Sequence, residues 1–290
     1  MSTCYLNGKF IPLDSARVSV LDRGFIFGDG IYEVLPVYAG RPFRLEAHLC
    51  RLEQSLVAIS IVDPYGRLAW IDLIYELIAA NCPAETLSIY LQVTRGVAPR
   101  NHAAPLTSIP TVFMMVSELT TGLVPAQVAA IVLEDLRWQR CDIKAISLLP
   151  NVMARTAASL AGVYEAILVR DGWVTEGAAS NVFIVSRGRI KTPPKSSFIL
   201  SGITRDTIVE ALADTTDAVQ EVEISQTELL ASEEVWLTSS TRDIVSVTRL
   251  DSRPVGTGEI GVVYRRVCAA YARFKVAELA NTKTPLYSSS

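Results

Sequence analysis

One lysine lies alone in an apolar stretch, Cys141-Asp142-Ile143-Lys144-Ala145-Ile146-Ser147-Leu148-Leu149. Apolar neighbours withdraw solvation from an ammonium, so its pKa falls and the neutral amine becomes available as a nucleophile and a base. That is the requirement for Schiff-base chemistry. Downstream, Thr175-Glu176-Gly177-Ala178-Ala179-Ser180-Asn181 presents a carboxylate in a glycine-containing loop. An acid there could hold a protonated ring nitrogen while the amine engages an aldehyde. The same residues also fit a lysine snorkelling at a strand edge and a glutamate in a surface turn.

Two stretches suit a phosphate. Ser201-Gly202-Ile203-Thr204-Arg205-Asp206 precedes an amphipathic pattern, so helix-start amides would point at an anion. Thr238-Ser239-Ser240-Thr241 closes the apolar run Glu234-Val235-Trp236-Leu237 with hydroxyls and turn amides. A plain helix cap and a polar turn after an edge strand are the alternatives. Arg51 could add a planar guanidinium for phosphate oxygens. Tyr32, Arg100 and His102 suit a substrate carboxylate, the last two in a proline-rich loop where incidental surface charge is the other reading.

Composition narrows the partners. With 27 basic against 30 acidic residues and no basic run, nothing resembles a nucleic-acid footprint, and small molecules are expected. The five cysteines are scattered without a C-x-x-C pair, and only two histidines, His48 and His102, occur, so neither a disulfide framework nor a metal centre is expected. That cysteine usage fits a reducing cytoplasm, and with no basic, apolar, small-residue leader at the start and no apolar run long enough to span a bilayer, no membrane contact is expected.

The elements that must carry these residues follow from periodicity. At 290 residues the length favours two domains. Asn7-Gly8 predicts a hairpin between Cys4-Tyr5-Leu6 and Lys9-Phe10-Ile11. A glycine-punctuated loop from Asp22 to Gly30 then leads into a strand from Ile31 to Tyr38, where Pro36 argues for an edge or a bulge. Leu45, Leu49, Leu52, Leu56 and Ile59 predict an amphipathic helix bearing His48 and Arg51. A helix over 68–80 and strands over 86–95 and 111–116 follow, and the polar stretch from Ser117 to Pro125 reads as a linker. Beyond it, strands are expected over 128–133, around Lys144, and over 165–170, 181–185 and 234–238. Helices are expected over 152–162, 204–212 and 262–279. The resulting division is a smaller N-terminal α/β domain over 1–118, a linker over 119–125 and a larger domain over 126–290.

Taken in chain order, the motifs resemble the fold-type IV pyridoxal phosphate enzymes, the class IV aminotransferases. The matching stretches are Asp22-Arg23-Gly24-Phe25-Ile26-Phe27-Gly28-Asp29-Gly30-Ile31-Tyr32-Glu33, His48-Leu49-Cys50-Arg51-Leu52, Val93-Thr94-Arg95-Gly96, Lys144, Val174-Thr175-Glu176-Gly177 with Ser180-Asn181, and Gly202-Ile203-Thr204-Arg205. Arg100-Asn101-His102, Arg140-Cys141-Asp142-Ile143-Lys144 and Thr238-Ser239-Ser240-Thr241 resemble the D-amino-acid transaminases within that family. Ala145 and Ala178 stand where serine is common among them, which bears on substrate range.

The resemblance implies a two-domain α/β (α+β) fold with pyridoxal 5'-phosphate in the interdomain cleft, and residue roles. Lys144 would form the Schiff base and move the substrate Cα proton. Glu176 would hold the pyridine nitrogen. Arg51, Ser180, Leu200, Ile203, Thr204, Ser240 and Thr241 would hold the cofactor, the amides of Ile203 and Thr204 taking its phosphate and Leu200 its ring. Tyr32, Arg100 and His102 would bind the substrate carboxylate, with Arg100 and His102 coming from the other subunit of a homodimer. The implied reaction is ping-pong transamination, D-alanine with 2-oxoglutarate giving pyruvate and D-glutamate. An L-selective branched-chain transaminase, an aminodeoxychorismate lyase and a catalytically silent cofactor-binding protein are the rival readings, since one scaffold hosts several reactions.

Overall fold

The opening hairpin forms where Asn7-Gly8 places it. Strands β1 (Thr3–Leu6) and β2 (Lys9–Pro12) pair antiparallel, with both turn residues at positive φ. The computed structural model describes residues 2–81, 86–105, 107–119 and 127–281. The chain divides into two compact units, one of Met1–Thr121, Ile143–Ser147 and Glu278–Ser290, the other of Gly122–Asp142 and Leu148–Ala277.

In the first unit the expected glycine loop contains a short helix, α1 (Arg23–Phe27). Periodicity could not show five residues of helix, but the caps account for it. The Asp22 carboxylate accepts from the Gly24 amide, and Gly28 ends the helix in the left-handed conformation. Next come β3 (Gly30–Tyr38), β4 (Arg41–Pro42), α2 (Leu45–Ala58), α3 (Arg67–Ala80), β5 (Thr86–Thr94) and β6 (Thr111–Glu118). They build an antiparallel sheet in the order β2-β1-β6-β5-β3-β4. Pro36 sits on the side of β3 away from β5, where its carbonyl accepts from Phe43 and the missing N–H breaks no β3–β5 bond. Leu87, Ile89, Leu91 and Val93 alternate into a core with Leu49, Leu52 and Leu56 of α2 and Trp70, Ile74 and Leu77 of α3. Each such side chain contributes roughly 2 kcal/mol of burial.

The strand expected around Lys144 does not form. Residues Ile143–Ser147 make one isolated bridge, Ala145 to Ile31, and two backbone bonds to β3, Tyr32 N to Lys144 O at 2.9 Å and Ile146 N to Gly30 O at 3.0 Å. Those bonds tie the segment to the first unit, whereas the expected division put it in the second. Of the expected linker 119–125, only Leu119 lies within the described residues.

The second unit comprises β7 (Gln127–Glu134), α4 (Leu149–Leu160), β8 (Glu165–Arg170), β9 (Trp173–Gly177), β10 (Asn181–Ser186), β11 (Arg189–Thr192), α5 (Ile203–Leu212), β12 (Gln220–Glu221), α6 (Gln226–Leu230), β13 (Glu234–Ser239), β14 (Asp243–Leu250), β15 (Arg253–Pro254) and most of α7 (Val262–Asn281). Its sheet runs β12-β11-β10-β13-β14-β7-β8-β9, with β15 on β14. The β14–β7 and β7–β8 pairs are parallel. Both faces are buried: Val182, Ile184, Val235, Leu237, Val245 and Val247 on one, and on the other Phe183 stacked on Trp236 at 5.8 Å, with Ala166 and Leu168 against Ala154 and Ala158 of α4.

One expectation is corrected here, one alternative reading is removed, and three strands are added. Thr175, Glu176 and Gly177 belong to β9, not to a loop, because Thr175 and Glu176 are buried and Gly177 pairs with Ile167. The hydroxyl run ends a central strand, not an edge one, since β13 lies between β10 and β14. Strands β9, β11 and β14 were not foreseen. β9 and β11 are short and interrupted by charged residues that periodicity reads as loop, and in β14 Asp243 and Arg249 bracket a run in which serine and threonine interrupt the apolar residues.

Candidate active site

The chemistry-bearing residues fall into two sets, one in each unit. In the first, Lys144 rides on the segment bonded to β3, and its amide donates to Ser55 Oγ at 3.3 Å. Its side chain is half-buried, with Nζ 4.1 Å from the centroid of the Tyr32 ring. That ring stacks on Tyr90 at 5.7 Å. The structure therefore brings together Lys144 and Tyr32, two residues the sequence singled out separately.

Arg51 is buried on α2, and its Nε and Nη2 donate to Glu33 Oε1 and Oε2 at 2.8 and 2.9 Å. His48, one turn earlier, places Nδ1 2.8 Å from Glu33 Oε2. Burial opposes the Glu33 charge, but the guanidinium and imidazole outweigh it and hold the carboxyl well below its usual range. Burial is also the main cause that lowers His48, so the neutral ring donates through Nδ1. Glu33 and His48 carried no predicted role. The signal was nevertheless present: Glu33 shares the inward face of Ile31, Leu35 and Val37, and His48 and Arg51 interrupt the apolar stripe of α2.

The loop carrying Arg100 and His102 is anchored from beneath. Asp29 accepts from Arg23 Nε at 2.7 Å and from Arg95 Nε at 2.8 Å, while Arg23 also reaches the carbonyls of Asn101 and His102. Gly96 adopts φ +90°, and a Cβ there would collide with the Ile109 carbonyl, so the turn leaving β5 requires glycine. Arg100 and His102 are exposed, and both lie beside the Phe27 ring at 5.5 Å. Among the described residues neither is brought against Tyr32.

In the second unit Glu176 is buried at the end of β9. Its Oε2 accepts from Asn181 Nδ2 at 3.1 Å and from the Leu200 amide at 3.0 Å, and its Oε1 accepts from Arg137 Nη1. Burial pushes its carboxyl up to about 7 against the pull of Arg137. Arg137 was missed by the sequence reading. It also donates through Nε and Nη2 to Asp135, both at 2.9 Å, a pair visible only as alternate charges after an apolar strand. Burial weakens the Arg137 charge, yet Asp135 and Glu176 more than restore it.

Helix α5 begins after Gly202 with no side-chain cap, and Thr204 is buried in its first turn. A Cβ on Gly202 would strike Asn181 Oδ1. Ser240 and Thr241 lie half-buried in the turn between β13 and β14. Asp243, just after that turn, accepts from Tyr271 and Lys275 of α7 and so braces it. Ser180 gives its hydroxyl to Glu165 Oε2 at 3.1 Å. Among the described residues no helix is long and apolar enough to cross a membrane.

The arrangement offers an amine against a ring face, a buried carboxylate with a raised pKa, and an uncapped helix start. Similarity to known proteins points the same way. The chain is 37% identical over 278 residues to a D-alanine aminotransferase of Bacillus licheniformis, covering 95% of this chain and 98% of that one. A solved branched-chain aminotransferase from Thermoproteus uzoniensis, with norvaline, superposes with TM-score 0.87 at 26% identity over 97% of this chain and 96% of that one. A hypothetical aminotransferase from Mycobacterium tuberculosis, solved in its PLP-bound form, shares the fold with TM-score 0.82 at 23% identity, covering 96% of this chain and 100% of that one. Residues 30–250 match the Amino-transferase class IV family, and with these likenesses along almost its whole length the chain belongs to the class IV aminotransferases.

Proposed function

We propose that this chain transfers the amino group of D-amino acids to 2-oxo acids, with D-alanine and 2-oxoglutarate giving pyruvate and D-glutamate in a ping-pong reaction. The observation that carries the reading is an amine lodged on the Tyr32 ring face at Lys144, in a chain 37% identical to a D-alanine aminotransferase.

Class IV aminotransferases use pyridoxal 5'-phosphate, and the donors of this chain fit that group. Among the described residues Glu176 Oε1 accepts from Arg137 alone, which leaves a lone pair for a ring N–H. The first-turn amides of α5 have no side-chain cap, which leaves donors for a phosphate. When bound, the cofactor supplies an aldehyde carbon for the amino group and a ring that takes up the charge left on the substrate Cα.

The residues then divide the work. Lys144 would remove the proton from the substrate Cα and deliver it to the cofactor's aldehyde-derived carbon, two atoms along. Glu176 keeps the ring nitrogen protonated. Arg51 and the amides of Ile203 and Thr204 bind the phosphate together with the hydroxyls of Ser240 and Thr241, while Ser180 and Leu200 flank the cofactor. Since the Nε–Nη2 edge of Arg51 is bonded to Glu33, Glu33 fixes how that guanidinium is presented. Tyr32, Arg100 and His102 bind the substrate carboxylate and thereby select which Cα face meets Lys144. We assign Arg100 and His102 to the partner's site in a cytoplasmic homodimer, which fits their exposure.

The backbone likeness to branched-chain aminotransferases favours, as a second reading, an L-selective enzyme. The test is a half-reaction without an amino acceptor on protein loaded with pyridoxal phosphate. D-alanine or L-leucine is added, loss of the lysine-bound cofactor's absorbance is followed, and Lys144→Ala serves as control. Conversion with D-alanine supports the proposal. Conversion with L-leucine alone overturns it in favour of the second reading.

A further inference from the structure

The Arg137 guanidinium is forked between two buried carboxylates. Nε and Nη2 grip Asp135 at 2.9 Å each, and Nη1 donates to Glu176 Oε1. Nη2 also reaches the Phe198 carbonyl at 3.1 Å and Thr175 Oγ1 at 3.4 Å, and Thr175 Oγ1 in turn lies 2.9 Å from Asp135 Oδ2. The Arg137 and Glu176 side chains are 6% and 7% exposed and that of Asp135 is fully buried, so solvent screens little of the interaction.

Any buried guanidinium must satisfy most of its five N–H donors, so what matters is where Nη1 points. This one faces, through Nη1, the Glu176 oxygen opposite the pair already satisfied by Asn181 and Leu200. Resting on the reading that Glu176 meets the cofactor ring nitrogen, we propose that Arg137 is a positioning residue that sets the basicity of Glu176, and that Asp135 limits how much of its charge Glu176 receives. The proton shared between the ring nitrogen and Glu176 then resides on the ring because Arg137 stabilises the carboxylate. Without the guanidinium, Glu176 is left with two neutral donors in a buried site, and the proton moves to the carboxyl. The other titratable groups around this cluster are Arg170, whose Nη2 lies 3.2 Å from Asp135 Oδ1, and the Cys141 thiol.

Variants of the guanidinium and of its competing carboxylate give opposite signs. Arg137→Met removes the stabilising charge from Glu176. Asp135→Asn removes a negative charge that competes for Arg137, so Glu176 becomes a weaker base and the ring holds its proton more firmly.

The test uses holoenzyme loaded with pyridoxal phosphate carrying 15N in the ring, its nitrogen shift followed against pH, with thermal melting alongside. In Arg137→Met the ring nitrogen should lose its proton at least one pH unit below the parent, a tenfold change in proton occupancy. Arg137→Lys should restore part of that shift, because an ammonium supplies charge without the fork. Asp135→Asn should move the ring titration upward and remains informative if Arg137→Met does not fold. A ring signal that stays at the parental position in the arginine and aspartate variants while melting temperature falls reduces Arg137 to a structural brace and overturns the proposal. Glu176→Gln separates the two claims. If it leaves the ring signal unmoved, the cofactor reading itself fails; if it moves the signal and the Arg137 variants do not, only this inference fails.

Discussion

Replacing Glu33 by glutamine should cost the protein about 3–5 kcal/mol while changing neither volume nor backbone. In the parent, one buried carboxylate accepts from Arg51 at 2.8 and 2.9 Å and from His48 at 2.8 Å. Glutamine offers one oxygen for three donors. With that oxygen toward Nε, the amide N–H2 confronts Nη2 and Nδ1; turned the other way, it confronts Nε. Either orientation leaves at least one donor unmatched and takes from the guanidinium the countercharge that Glu33 supplies. Charge-assisted bonds contribute roughly 1.5–3 kcal/mol each, which agrees with the larger figure for breaking a buried pair. The assay is urea unfolding of cofactor-free protein at pH 7, followed by tryptophan fluorescence, since Trp70 lies in the same core. Because the Glu33 carboxyl is held far below its ordinary value of 4.5, its stabilisation is full above that pH and is lost as pH falls through the folded value. The parent and variant curves should therefore converge on the acid side. Converting Glu33 and Arg51 together to leucine should recover much of the loss, since no charge is left stranded. A single-variant deficit below about 1 kcal/mol, or additive effects in the double variant, would refute the reasoning.

Three further outcomes follow from other parts of the molecule. In the cofactor-free protein Glu176 is raised from 4.5 to about 7, so its contribution is full below pH 4.5 and is lost as pH rises through 7. Unfolding measured across that window should show a decline of about 3 kcal/mol that Glu176→Leu flattens. Gly202→Ala should push aside Asn181, which braces Glu176, destabilising the fold by about 1–3 kcal/mol in urea and weakening pyridoxal phosphate in a fluorescence titration by roughly tenfold. Burial raises the Cys141 thiol from 9.0 to about 11, so iodoacetamide at pH 8 should label it roughly a hundredfold more slowly in the native protein than in the unfolded chain, as read by peptide mass spectrometry.

Much of this protein is legible in its chain because local physics is strong there. The Asn7-Gly8 hairpin, the stripe of α2 and the alternation in β5 are set by turn chemistry and by periods of 3.6 and 2, which need no distant partner. Lys144, Glu176 and Gly202 could be singled out for the same reason: an amine among apolar neighbours, a carboxylate beside glycine, and a glycine before a helix are departures visible within a few residues. What the tertiary structure alone decided involves partners far apart in sequence. The Lys144 segment became a bridge to β3 instead of a strand because its bonding partners, Gly30 and Tyr32, lie more than a hundred residues earlier. Glu176 became a buried strand residue because Asn181, Leu200 and Arg137 together satisfy it, and Arg51 became the partner of Glu33 because sheet and helix close on a common core. Charge in a buried position is tolerated only where opposite charge and donors converge, and that convergence is a property of the folded chain, not of any window of it.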